Sequence, residues 1–191
     1  MMRLELQKMP VDPEGEWVMP AALMIRRDMF GGNGEATDPE IGWVTQPEDT
    51  VSQYCLMAGG ILVAFARLSS KSKIGIYDRG AYELKHIVVS KKFQRQGVGG
   101  YLLRCMEREA AVAGAPALDV RPLQTSRPFY IKHLYGPHPD QRNCFTKHLA
   151  VSDYTAPVPS LEVESPLPYP RPVVEQVSLN AKLFDNRGAY L

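Results

Sequence analysis

One stretch constrains the fold more than any other. Ala81 to Val89 alternates in polarity, Gly99 to Ala113 carries an apolar stripe, and Gln94-Arg95-Gln96-Gly97-Val98-Gly99-Gly100 lies close between them. A period of two predicts a strand, with Tyr82, Leu84, His86 and Val88 on one face and Glu83, Lys85, Ile87 and Val89 on the other. Leu102, Leu103, Met106 and Ala110 recur at helical spacing, and Gly114 supplies the stop. A strand, a glycine-rich bend and a helix start therefore follow in that order. The glycines let backbone N–H groups turn toward one point, and the helix N-terminus adds partial positive charge there. That combination predicts an anion site suited to a pyrophosphate.

Two familiar glycine loops are excluded by the residues themselves. A Walker A loop requires Lys-Ser or Lys-Thr after its last glycine, whereas this chain reads Gly99-Gly100-Tyr101. A dinucleotide fingerprint requires a third glycine where Leu102 stands.

The rest of the chain reads more simply. Arg3 to Met9 alternates and predicts a short strand. Pro20 to Phe30 predicts a helix with proline in its first turn. Gly31 to Thr50, with Glu35, Asp38, Glu40, Glu48 and Asp49, predicts a long acidic loop. Val51 to Met57 and Ile61 to Leu68 flank Gly59-Gly60, a hairpin pattern. Ala117 to Val120 predicts a buried strand, Ser126 to Leu134 a short helix and Cys144 to Val151 a last strand. From Ala156 to Pro172 six prolines exclude helix and central strand. The expected division is a domain over 1–155 and a Pro-rich arm over 156–191, packed on the domain or on a partner.

Composition sets outer limits. With 22 Lys plus Arg against 21 Asp plus Glu, the net charge of +1 gives no drive toward nucleic acid or an anionic membrane. The longest apolar stretch, Met57 to Leu68, is too short to span a bilayer. Cys55, Cys105 and Cys144 are few, odd in number and widely spaced, which suits a reducing compartment; a cytoplasmic protein is expected. His133, His138, Cys144 and His148 cluster in sequence, but no Cys-x-x-Cys pair anchors them, so no metal site is expected.

The loop Gln94-Arg95-Gln96-Gly97-Val98-Gly99 fits (Gln/Arg)-x-x-Gly-x-(Gly/Ala) and resembles the acetyl-CoA motif of the GNAT N-acetyltransferase superfamily. The flanks resemble that family too: Glu83, the apolar triplet Ile87-Val88-Val89, Phe93, the loop, and the helix after it. The similarity spans Ala81 to Tyr135. It implies an α/β (α+β) fold with a mixed central sheet and flanking helices, here extended by the Pro-rich C-terminal arm. It further implies that the backbone of Ile87, Val88 and Val89 pairs with the pantetheine arm of acetyl-CoA. The amides around Gln94, Arg95, Gln96, Gly97, Val98, Gly99 and Gly100 would hold the diphosphate, and strands Ala81–Val89 and Ala117–Val120 would splay to admit the thioester. The acetyl group would pass directly to an amine acceptor, with Glu83 as general base and Tyr130 of Phe129-Tyr130 as proton donor to the leaving sulfur. Leu123, Ser126 and Leu134-Tyr135 stand where family members often carry Asn, Ala and Gly-Phe, and Pro128 precedes the aromatic pair.

The expected function is an acetyl-CoA-dependent N-acetyltransferase. The alternative is a GNAT-like domain with a structural or adaptor role in a larger assembly such as a virus particle, or a homodimer built through the arm. An acyltransferase acting on aminoacyl-tRNA would need a basic face, which the net charge does not supply.

Overall fold

The computed structural model describes residues 1–9, 50–70 and 80–164. The expected helix at Pro20–Phe30, the acidic loop up to residue 49 and the arm beyond Glu164 lie outside these residues.

Eight strands form one mixed sheet: β1 Met2–Met9, β2 Thr50–Ala58, β3 Ile61–Ser70, β4 Tyr82–Val89, β5 Ala117–Val120, β6 Gly136–Pro137, β7 Phe145–His148 and β8 Glu162–Val163, in the order β6-β7-β5-β4-β3-β2-β1-β8. Only β4 and β5 run parallel; the other neighbours are antiparallel. Gly59 and Gly60 both hold positive φ, the requirement of the tight turn that joins β2 to β3.

Two helices follow from the expected patterns. α1, Val98–Val112, buries Leu102, Leu103, Met106 and Ala110 against the sheet. α2, Arg127–Lys132, is shorter than the sequence predicts. Pro128 sits in its first turn, where a missing N–H costs nothing, so it starts the helix without displacing it. The far end is a Schellman cap: Tyr135 N–H donates to Tyr130 O at 3.1 Å and Leu134 N–H to Ile131 O at 3.0 Å. Leu134 takes the left-handed position at φ 68°, and the Tyr135 ring packs edge-on against Tyr130 at 5.6 Å.

The face assignment for β4 needs correction. Phe65 pairs with Val88 and Arg67 with Lys85, so Ala66 faces two residues, His86 and Ile87: a β-bulge. The extra residue reverses the alternation. Ile87 and Val89, rather than His86 and Val88, continue the face of Tyr82 and Leu84 and pack on the core.

The chain then closes on itself. After β7, a turn of 3-10 helix at Val151–Tyr154 leads into the Pro-rich segment, which reaches the opposite edge of the sheet. There Met2 pairs with Val163 and Arg3 with Glu162, and Leu4 N–H donates to Leu161 O at 2.9 Å. Val163 is fully buried, and Val158 and Leu161 pack on the core. Within α1, the buried Glu107 carboxylate accepts both oxygens' bonds from Lys147 Nζ of β7, each at 2.9 Å, and a third from Tyr154 Oη at 3.1 Å. No helix among the described residues is long and apolar enough to cross a membrane.

Candidate functional site

The site starts where the parallel pair stops. β4 and β5 are in register only over Tyr82/Leu118, Glu83/Asp119 and Leu84/Val120. β4 continues through Lys85 to Val89 paired on its β3 side alone, so the two strands part and leave backbone groups of β4 facing a cleft. The bulge at His86–Ile87 falls at this parting.

The bend after β4 is fixed from several directions. Phe93, at the end of the 3-10 turn Lys91–Phe93, plugs into the core. Gln94 Nε2 donates to Val89 O at 3.1 Å and Gln96 Nε2 to Lys92 O at 3.3 Å, so both side chains brace the loop itself. Gln96 Oε1 in turn accepts Glu164 N–H at 2.9 Å, and Leu161 lies beside Gly97. Arg95 at φ 62° and Gly97 at φ 82° are left-handed, which turns successive amides to one side. The first α1 bond runs from Tyr101 N–H to Gly97 O, leaving the N–H groups of Val98, Gly99 and Gly100 without a helical acceptor. No acidic side chain occupies this turn.

α2 closes the other side. Phe129 packs on Gly99, and a Cβ at Gly100 would lie 2.9 Å from the His133 ring, so residue 100 must be glycine for α2 to come this close. Tyr130 is buried between Phe129 and Tyr135, and burial pushes its phenol well above the usual range. It therefore stays protonated, the state a proton donor needs.

Glu83 lies on the sheet face opposite α1, in a row with Ser69 of β3 and Asp119 of β5. Its carboxylate accepts Arg121 Nε at 3.0 Å, and Lys85 Nζ stands 3.7 Å away. Arg121 Nη2 also donates to Gln141 Oε1 at 3.0 Å. His138 Nδ1 accepts Asp140 N–H, and its Nε2 lies 3.9 Å from the buried Asp119 carboxylate. Ser69 Oγ is buried and finds no hydrogen-bond partner among the described residues.

Sequence reasoning singled out Glu83 but not Arg121 or Asp119. The available signal was position: Arg121 directly follows a short apolar strand, at the carboxyl end where open parallel sheets gather their ligands. The histidine and cysteine cluster disperses: His133 packs on Gly100, His138 on Asp119, Cys144 is buried and His148 ends β7. No group of three or more His, Cys, Asp or Glu among the described residues is placed to hold a metal. Cys55, Cys105 and Cys144 are buried, and burial pushes the first two thiols up to about 11.

No curated protein matches the sequence. The fold is shared with solved structures at low identity. A GCN5-related N-acetyltransferase from Ralstonia eutropha is 16% identical with a TM-score of 0.54, covering 73% of this chain and 96% of that one. FeeM, an N-acyl amino acid synthase from uncultured soil microbes, is 16% identical at 0.55, covering 81% and 94%. The N-acetylglutamate synthase from Neisseria gonorrhoeae, complexed with coenzyme A and L-arginine, is 15% identical at 0.52; it covers 78% of this chain, which spans 34% of that larger protein. The family model for acetyltransferases of the GNAT family matches residues 21–134, more than half of the sequence and the whole strand–bend–helix unit, so the chain belongs to the GNAT acetyltransferase family.

Proposed function

We propose that the protein transfers an acetyl group from acetyl-CoA to an amine by direct attack on the thioester. One observation carries this reading: β4 loses its β5 partner ahead of a bend whose first-turn amides have no helical acceptor among the described residues. An extended pantetheine chain fits the first feature as an added strand along Ile87 to Val89. A diphosphate fits the second, at the N–H groups from Arg95 to Gly100. Phe129, His133 and Leu161 occupy the side of the bend where side chains would stand.

The chemistry then divides between two residues. Glu83 takes a proton from the incoming ammonium, directly or through water, after releasing Arg121. The free amine attacks the thioester carbonyl, the C–S bond breaks, and Tyr130 supplies the proton to the departing sulfur. In this reading the backbone N–H near Val88 or Val89 polarises the carbonyl. Three widely spaced, buried cysteines fit a reducing setting, and we place the reaction in the cytoplasm.

Thermal melting with acetyl-CoA tests the binding half. At a hundred times Kd the ligand adds about 2.7 kcal/mol, or roughly 5–10 °C for a chain of this size. Release of free thiol with an amine panel tests the chemical half. Glu83→Gln is expected to slow release by about 10²–10⁴-fold at neutral pH; full rate in that variant rejects Glu83 as base.

A further inference from the structure

We infer that the acceptor carries a carboxylate beside its amine, an amino-acid-type substrate, and that Arg121 is the residue that selects it. The inference rests on the acyl-transfer reading above and names the substrate class of that same site.

The geometry of the guanidinium is the starting point. Arg121 offers five N–H donors in a fixed plane. Glu83 takes Nε and Gln141 takes Nη2, two neighbouring bonds on one side of the fork. These partners hold the plane still. Three N–H donors, those of Nη1 and the second on Nη2, have no partner among the described residues. The Arg121 side chain is 55% exposed, against 11% for the Glu83 carboxyl it grips. A planar fork, held on one edge and open on the other, matches a carboxylate bound through two parallel bonds.

The surrounding charge favours the same class. Arg67, Lys85 and Arg121 share this face of the sheet with Glu83 and Asp119. The His138 ring accepts the Asp140 N–H at Nδ1, and its Nε2 lies 3.9 Å from Asp119. Among the described residues, three cations share this face with two carboxylates. A plain polyamine would add only positive charge beside them. An amino carboxylate brings none in net, and it matches the pair it enters: its ammonium meets Glu83, and its carboxylate takes the open edge of the guanidinium that Gln141 still holds. Ser69 Oγ, buried in the row beside Glu83 without a partner among the described residues, offers a hydrogen bond to the incoming group.

The test compares matched acceptors in the full-length protein: phenylalanine with phenethylamine, and leucine with 3-methylbutylamine. The readout is free-thiol release from acetyl-CoA, expressed as the ratio of kcat/KM for acid over amine. The expected ratio is about ten- to hundred-fold in favour of the amino acids, the range for losing a charge-assisted hydrogen bond. In Arg121→Gln the ratio falls at least tenfold, and Arg121→Lys, which keeps the charge but not the fork, falls in between. Melting curves of both variants show whether they fold. Amines that serve as well as their acids, or a ratio unchanged in Arg121→Gln, overturn the assignment while leaving acyl transfer intact. A melting shift with acetyl-CoA but no turnover of any amino acid also overturns it. No shift and no turnover with any acceptor reject the acyl-transfer reading as well.

Discussion

Lys147→Met tests how α1 is tied to β7. Glu107 is 2% exposed, and its carboxylate accepts three bonds from two donors: Lys147 Nζ on both oxygens at 2.9 Å and Tyr154 Oη at 3.1 Å. Removing the ammonium leaves a buried charge with one hydroxyl for company. Breaking a buried pair this way costs about 3–5 kcal/mol, because the remaining ion has lost its partner and cannot regain water. For a chain of this length that corresponds to a fall in Tm of roughly 6–20 °C. The double variant Glu107→Met/Lys147→Met removes the orphaned charge too and is expected within about 1–2 kcal/mol of the wild type. Urea unfolding of the four proteins gives the coupling energy from the cycle. A Lys147→Met protein within about 1 kcal/mol of wild type, or a double variant as unstable as the single, would refute the claim that this pair ties α1 to β7.

Three further outcomes follow from particular residues. Leu134 is 80% exposed yet left-handed at φ 68°, so Leu134→Gly relieves about 1–2 kcal/mol of strain, offset in part by glycine's freedom in the unfolded chain. A net gain of about 0.5–1 kcal/mol is expected in urea unfolding, and none for Leu134→Ala. The His133 imidazole is held below its usual range by burial against Gly100, with Lys147, Lys132 and Arg104 adding to the effect and Glu107 opposing it. A lowered folded pKa gives stability that is present above about pH 6.5 and lost as pH falls toward the folded value; His133→Gln is expected to flatten unfolding free energy on that acid side. Val163→Ser opens a fully buried position where β8 meets β1, and should both lower Tm and speed proteolysis of the arm, read by mass spectrometry of limited digests.

The sequence made some of this legible and hid the rest for physical reasons. Gly59-Gly60 announces its hairpin because both positions need positive φ, which few other residues accept. The α1 stripe is visible because a single face is buried over four turns. The β4 bulge leaves no local mark: His86 and Ile87 fit strict alternation, and only the pairing with β3 shows the extra residue. Leu134 hides the α2 cap because glycine is the usual sign there. The Glu83–Arg121 pair joins residues 38 positions apart, and nothing in either neighbourhood predicts the other. The first part of the arm was legible only as extended chain; its two-residue pairing with β1 depends on which edge it reaches.

That last pairing orders events during synthesis. β1 leaves the ribosome early, but one of its flanks belongs to residues 50–58 and the other to residues 162–163. Contacts so distant along the chain form slowly, since the intervening segment must first be gathered in. Until Glu164 emerges, Gln96 lacks the amide that its side-chain oxygen accepts. A nascent chain halted before that point would carry its helices and inner strands with the clasp on the glycine bend still missing.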